Sequence, residues 1–332
     1  MGATKLVHIL TTGGTIMTRY LPNSSGLADI AKVEEVFPSL NIDGVKYEVK
    51  EVLSKGSANM IPEDWIKIAR VVESSIKSNV DRIVLLHGTD TMQYTAAALS
   101  FMLAGLPVPV VMTGSMIPMG DPQTDGVSNL NSAVMVAAFA DLAEVCVLFS
   151  SAEKSKVIIR GTRAKKINSH ERQAFASINR EPLGYCLGDK IELVDWRVKR
   201  SDDARLEVRT SLNRNVSLIK VHPALTNEQL DRFLNPCAGA VLEGSGIGHF
   251  RVDDGFPEVI ERFGRPTALT TQCLYGGEKL GMYAMDRDIL SISNIIPVRD
   301  MLPEVALVKM MWCLPQNEVK KLMLTNIAGE MT

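Results

Sequence analysis

The stretch of sequence that decides the fold is RIVLLHGTDTMQYTAAALSF, residues 82–101. Residues 82–86 predict a buried strand, because a short apolar run bounded by turn signals is typical of a strand covered on both faces. The segment His87-Gly88-Thr89-Asp90 then turns the chain at a glycine. The apolar residues that follow recur at helical spacing, at Tyr94, Ala97, Ala98 and Phe101. A strand, a turn and a helix in this order indicate one unit of an α/β fold.

The same unit is repeated along the chain in both directions. In the N-terminal part, further strands are predicted at Leu6–Leu10, Tyr47–Leu53, Val108–Met112 and Val145–Ser150, and further helices from Pro62 and over Asn129–Leu142. Nearer the C-terminus, strands are predicted at Val216–Val221, Gly239–Glu243 and Thr267–Thr271, and helices over Asn227–Leu234, Pro303–Met311 and Gln316–Thr325. This repetition predicts an α/β protein with a parallel sheet that helices cover on both faces.

The length of 332 residues exceeds the usual span of one domain, so two domains are expected. The stretch from Lys190 to Asn215 carries many charges and few long apolar runs, which is typical of a linker. We therefore predict an N-terminal α/β domain over residues 1–189, a linker over residues 190–215 and a C-terminal α/β domain over residues 216–332.

Composition excludes several classes of protein. The formal net charge of −2 gives no support to a nucleic-acid-binding surface. The five cysteines form no CxxC pair and the histidines show no paired metal spacing, so we expect neither a zinc site nor a disulfide framework. The apolar run Leu6–Leu10 is too short for a signal peptide, and no stretch approaches the ~20 apolar residues of a membrane span. We expect a cytoplasmic protein without membrane association, metal or organic cofactor.

Three predicted strand ends carry hydroxyl side chains on glycine turns, at Thr11–Thr15, His87–Thr91 and Thr113–Ser115. Taken alone, each turn could be a helix cap, because Thr, Ser and Asp cap helices well. Open α/β sheets, however, bind their ligands at the carboxyl ends of their strands, where these three turns would meet. Together the turns therefore indicate a site.

The residue types in these turns favour acyl transfer to water. A threonine hydroxyl is a poor nucleophile unless a neighbouring base takes its proton, and a lysine can serve as that base when its pKa is lowered. The backbone N–H groups of a glycine turn can stabilise the oxyanion of a tetrahedral intermediate.

Two segments, Thr12–Ile16 and His87–Met92, resemble the signature motifs of the L-asparaginase family of cytoplasmic and archaeal type. The resemblance extends over nearly the whole chain, through Gly56-Ser57, Gly114-Ser115-Met116, Asp125-Gly126, Asn129-Leu130 and Arg163–Lys166. It implies a two-domain asparaginase-like fold, with a larger N-terminal parallel-sheet domain and a smaller C-terminal α/β domain. It also implies a homodimer or homotetramer.

The resemblance assigns roles to individual residues. Thr12 is similar to the family's nucleophile, and Thr89, Asp90 and Lys166 are similar to its second catalytic cluster, with Lys165 as an alternative to Lys166. Tyr20 is the only tyrosine near the place of the family's loop tyrosine, although its spacing is shorter. The implied substrate-binding residues are Gly56, Ser57, Gly88, Asp90 and Ser115.

The family implies hydrolysis of L-asparagine to L-aspartate and ammonia, with L-glutamine as a further substrate. A close branch is the glutaminase subunit of archaeal Glu-tRNA(Gln) amidotransferases, which supplies ammonia for converting Glu-tRNA(Gln) to Gln-tRNA(Gln) and meets tRNA only through a partner subunit. The segments that resemble this branch are Tyr94–Leu103, Glu243–His249, Gln272–Gly276 and Met301–Trp312. The chain begins directly at its first strand, and Gly114-Ser115-Met116 resembles a free-standing asparaginase, so the hydrolase is favoured. A non-catalytic amino-acid-binding protein on the same scaffold is the third hypothesis.

Overall fold

The computed structural model describes residues 4–20, 28–30, 40, 42–78, 80, 82–151, 155–201 and 203–332. The chain forms two compact units, Met1–Arg209 and Thr210–Thr332. The side chain of Tyr20 lies outside the part of the chain that is described, so its predicted role stays a prediction.

The elements of the first unit follow one another in chain order. Its strands are β1 (Lys5–Thr11), β2 (Thr18–Tyr20), β3 (Ala28–Ile30), β4 (Val45–Glu51), β5 (Ile83–Leu86), β6 (Leu103–Ala104), β7 (Val110–Thr113), β8 (Val145–Ser150), β9 (Ser155–Arg160), β10 (Ala164–Lys166), β11 (Phe175–Ser177), β12 (Gly184–Leu187), β13 (Lys190–Leu193) and β14 (Glu207–Val208). Its helices are α1 (Pro62–Lys77), α2 (Met92–Met102) and α3 (Gly126–Phe139).

The main sheet has the strand order β13-β12-β9-β8-β7-β5-β1-β4. The five strands from β8 to β4 are parallel, as the sequence predicted. Strand β1 has β4 on one side and β5 on the other, so the winding of the chain reverses between β1 and β5. A reversal of this kind opens a crevice at the carboxyl edge of the sheet, which is where ligands bind in such folds.

Three strands extend the sheet in a way that the sequence did not predict. Strands β9, β12 and β13 pair antiparallel. Strand β13 falls within residues 190–215, the predicted linker, and pairs with β12 in the first compact unit. Its charged residues Lys190 and Glu192 are exposed at the sheet edge, and this polar composition is what resembles a linker in the sequence.

Helices fix the sheet by burying apolar side chains against it. Helix α3 contributes Val134 and Ala137 to a core that also contains Val7, Val84 and Val111 from three neighbouring strands. All four residues of β5 are buried, which explains their unbroken apolar sequence.

The second unit is a smaller α/β layer. Its strands β15 (Val216–Lys220), β16 (Gly239–Gly244), β17 (Thr267–Thr271) and β18 (Ile295–Pro297) form one parallel sheet in that order. Its helices are α4 (Asn227–Leu234), α5 (Phe256–Phe263), α6 (Asp286–Ser291), α7 (Pro303–Cys313) and α8 (Val319–Leu324). A larger, parallel-rich N-terminal domain and a smaller C-terminal α/β domain confirm the predicted fold class. None of the described helices combines the length and apolar character that crossing a membrane requires.

The histidine that ends β5 predicts a pH dependence of stability. His87 is fully buried, with Nδ1 2.7 Å from the Gly88 carbonyl and Nε2 2.9 Å from the Thr95 hydroxyl. Burial lowers the pKa of His87 to about 4. Between its unfolded pKa of ~6.5 and pH 4, the unfolded chain therefore binds a proton that the folded chain excludes.

We expect this proton to lower the free energy of unfolding by ~2 kcal/mol between pH 6.5 and pH 5. Denaturant titrations at several pH values measure this slope for the native chain and for His87→Gln, whose slope is expected to be shallower. The control is His170→Gln, because His170 is exposed. Identical slopes for the native chain and His87→Gln would contradict the prediction.

Candidate active site

The first site segment is the turn after β1. Thr12 is fully buried, and both its N–H and its hydroxyl donate to the carbonyl of Leu86 in β5, at 3.0 and 2.9 Å. Gly13 and Gly14 follow with φ angles of 96° and 82°, which side chains disfavour. Thr12 thus lies at the reversal between β1 and β5.

Backbone contacts join this turn to two other segments. A Cβ atom on Gly14 would lie 2.4 Å from the Cα atom of Gly88, and one on Gly88 would lie 2.6 Å from the Ser57 hydroxyl. Ser57 is buried, whereas Gly56 is exposed. The Ser57 hydroxyl accepts the N–H of Asp90 at 3.2 Å. Five of the predicted site residues are therefore in one place at the carboxyl edge of the sheet.

Lys166 reaches the same place from β10. Its Nζ atom donates to the Thr89 hydroxyl at 2.8 Å and to the Asp90 carboxylate at 2.8 Å. The Thr89 side chain is buried, but 64% of the Asp90 side chain is exposed and can meet a ligand. Lys165, the alternative, is adjacent in β10, and neighbouring side chains of a strand point to opposite faces. The structure thus brings Lys166 to Thr89 and Asp90.

The third segment is the turn after β7. Ser115 is 1% exposed, and its hydroxyl has no hydrogen-bond partner among the described residues. The turn is held by Asp125, whose carboxylate accepts the N–H groups of Met116 and Ile117 at 3.0 and 3.1 Å. Asn129 adds a bond of 2.8 Å from its amide to the Gly114 carbonyl. These bonds fix Ser115 while its own hydroxyl stays available.

Sequence reasoning missed Gln93. This residue of α2 is buried, and its side-chain oxygen accepts the backbone N–H of Lys166 at 2.6 Å. The bond fastens the strand that carries the lysine to the helix that follows Asp90. A glutamine beside apolar helix residues was the only signal in the sequence.

Sequence reasoning also missed the support of Ser57. Lys55 donates to the carboxylate of Asp64 at 2.6 Å, and Asp64 also accepts the N–H of Ile61 at the start of α1. A Cβ atom on Gly13 would lie 2.5 Å from the Lys55 carbonyl. The start of α1 thus anchors the segment that runs between the first turn and Ser57.

The arrangement offers hydroxyl, amine and carboxylate groups and is suited to proton transfer and to holding a small zwitterion. Within the ranges that the structure describes, no three His, Cys, Asp or Glu side chains converge in a way that could hold a metal ion.

Comparisons with known proteins agree with this geometry. Residues 6–199 match the family model "Asparaginase, N-terminal", and residues 215–323 match "Glutaminase/Asparaginase C-terminal domain". Relatives named as the D component of glutamyl-tRNA(Gln) amidotransferase include that of Methanosphaera stadtmanae, which is 35% identical over 98% of this chain and 77% of its own length. That of Pyrococcus horikoshii is 37% identical over 98% of this chain and 76% of its own length.

Solved structures of similar fold are L-asparaginases. The thermostable enzyme of Thermococcus kodakarensis superimposes with a TM-score of 0.90 and 34% identity, covering 98% of this chain and 99% of its own. L-asparaginase I of Vibrio cholerae gives a TM-score of 0.87 and 30% identity, covering 99% of this chain and 100% of its own. Since both family models and these full-length relatives match, the chain belongs to the asparaginase family and is an amidohydrolase.

Proposed function

We propose that this protein is an L-asparaginase that hydrolyses the side-chain amide of L-asparagine to give L-aspartate and ammonia, with Thr12 as its nucleophile. The observation that carries the proposal is the bonding of Lys166 to both Thr89 and Asp90, at the edge of the sheet where Thr12 also lies. The similarity to L-asparaginases over almost the full length of the chain supports it.

In the proposed reaction, the Thr12 hydroxyl leaves the Leu86 carbonyl and its oxygen attacks the amide carbon. Its proton passes through the Thr89 hydroxyl to Lys166 and on to the departing nitrogen, so that ammonia leaves and an ester to Thr12 remains. Water then attacks the ester, and its proton returns to Thr12. In both steps the N–H groups of the glycine turns stabilise the oxyanion.

The remaining residues select the substrate. The exposed carboxylate of Asp90 is suited to the α-ammonium group of an amino acid, and the Ser57 hydroxyl, which accepts the Asp90 N–H, can donate its own hydrogen to the α-carboxylate. The Ser115 hydroxyl would bind the amide. On this proposal the enzyme acts as a homodimer or homotetramer in the cytoplasm.

One observation favours a second function. The relatives from Methanosphaera stadtmanae and Pyrococcus horikoshii are components of a tRNA-dependent amidotransferase. In that function the same residues would release ammonia from glutamine and pass it to a partner subunit, which would bind the tRNA.

Measuring ammonia release separates these two functions. The purified chain is assayed with asparagine and with glutamine, alone and with a tRNA-binding partner subunit from a relative's amidotransferase. The hydrolase predicts a kcat/KM for asparagine at least ~10-fold above that for glutamine, and no activation by the partner. Negligible activity alone that rises with the partner would establish the amidotransferase instead.

Substitutions at the cluster test the catalytic roles. We expect Thr12→Ala to lower kcat by ~10³-fold or more, and Lys166→Met to lower it by ~10²–10⁴-fold, because each variant removes a group that takes part in proton transfer or bond formation. The matched control is Lys165→Met, whose kcat should stay close to that of the native chain. Full activity in Thr12→Ala, or an equal loss in the two lysine variants, would refute the assignments.

Gln93 is proposed as a positioning residue that acts through Lys166. We expect Gln93→Met to lower kcat by ~3–10-fold with little change in KM, since the lost hydrogen bond orients the lysine and does not touch the substrate. Gln93→Glu keeps an acceptor oxygen and should recover part of the loss. Steady-state kinetics and the thermal midpoint are measured together, and an unchanged kcat in Gln93→Met would exclude the role.

A further inference from the structure

A second cavity, of about 1140 Å³, lies in the first unit. Its walls are formed by the loop between β10 and β11 (residues 167–173), the first turns of α3, the start of β9 and part of β12. The lining includes none of the described residues Thr12, Thr89, Asp90 and Lys166. The cavity is therefore separate from the proposed catalytic cluster.

Lys156 of β9 is half-buried in the wall of this cavity. Its Nζ atom donates to the hydroxyls of Ser128 and Ser150, each at 2.9 Å. An ammonium group has three donor hydrogens, so a third hydrogen remains for a ligand. Among the described residues, no carboxylate lies within 4.0 Å of this Nζ atom. Burial lowers the pKa of Lys156, which is the expected response of a cation without a neutralising partner.

A second cation faces the same space. Arg172 lines the cavity from the loop, and its positive charge further lowers the pKa of Lys156. Its guanidinium donates to the Gln123 carbonyl at 2.6 Å, and a guanidinium carries five donor hydrogens in all. Two like charges that approach each other raise the free energy of the empty cavity, and an anion between them would lower it.

The carboxylates of the wall are otherwise engaged. Asp125 raises the pKa of Lys156, yet its oxygens already accept two backbone N–H groups and the Asn129 amide. Glu171 lies 3.5 Å from His170, and 64% of its side chain is exposed. Serine hydroxyls complete the lining, at Ser128, Ser132, Ser150 and Ser155. Hydroxyl groups beside two cations are the donors that bind oxyanions.

We infer that this cavity binds a small oxyanion, a carboxylate or a phosphate group, held by Lys156 and Arg172 with the serine hydroxyls around it. The occupant would bridge β9 and α3 to the loop that begins directly after Lys166. The inference does not rest on the proposed reaction, because a catalytically inactive chain would keep the site.

Binding of two probes tests the inference. Inorganic phosphate and succinate are titrated separately into the full-length chain at constant ionic strength, with binding followed by calorimetry and thermal unfolding. At least one probe should bind saturably and, at saturation, raise the thermal midpoint by a few degrees relative to sodium chloride. Which probe binds identifies the ligand as a phosphate or a carboxylate.

Variants locate the binding. Lys156→Met should weaken it by ~10-fold or more, and Arg172→Gln by ~3–10-fold, because each loses a charge-assisted hydrogen bond. Two controls should bind like the native chain: Lys67→Met, which removes an exposed cation of α1, and Lys166→Met, which alters the catalytic cluster. Absence of saturable binding by both probes, or equal binding in the native chain, Lys156→Met and Arg172→Gln, would overturn the inference.

Discussion

The close approach of backbone between Gly14 and Gly88 is the constraint on which the site depends. A Cβ atom on Gly14 would lie 2.4 Å from the Gly88 Cα atom, a distance that no side chain tolerates. Because these turns leave adjacent parallel strands, their contact brings Thr12 and Thr89 to one edge of the sheet. Ser57 closes the contact from a third segment, against Gly88 and the N–H of Asp90.

The amine of the site comes from outside the main sheet, and its position depends on its hydrogen bonds. Lys166 belongs to the β10–β11 pair, yet its side chain meets Thr89 and Asp90, and its backbone is fastened to Gln93. Release of ammonia from an amide is the common step in an asparaginase and in the ammonia-supplying subunit of an amidotransferase. The shared step explains why relatives with both names match the same chain over almost its whole length.

The two polar regions of the first unit differ in charge. At the proposed catalytic cluster the exposed group is the Asp90 carboxylate, and Lys166 is held beside it. In the second cavity Lys156 and Arg172 face the space, and Asp125 is occupied by backbone and amide donors. The strand and loop from Ala164 to residue 173 contribute to both regions, so the position of Lys166 and the shape of the second cavity share one element.

The sequence by itself determined the parallel strands, the start of α1 at Pro62, the helix α4 at its full length and the hydroxyl turns at the strand ends. These features are local: apolar runs, helical spacing, proline and glycine act within a few residues. Only the tertiary structure decided that β9, β12 and β13 extend the sheet, that Gln93 holds Lys166, and that Lys156 and Arg172 face one cavity. Strand β13 is too short and too polar at the edge to be told from a linker, and Gln93 and Lys166 are separated by 73 residues in the chain. Contacts of this length form only when the folded sheet brings their elements together, because no periodicity within either segment specifies its distant partner.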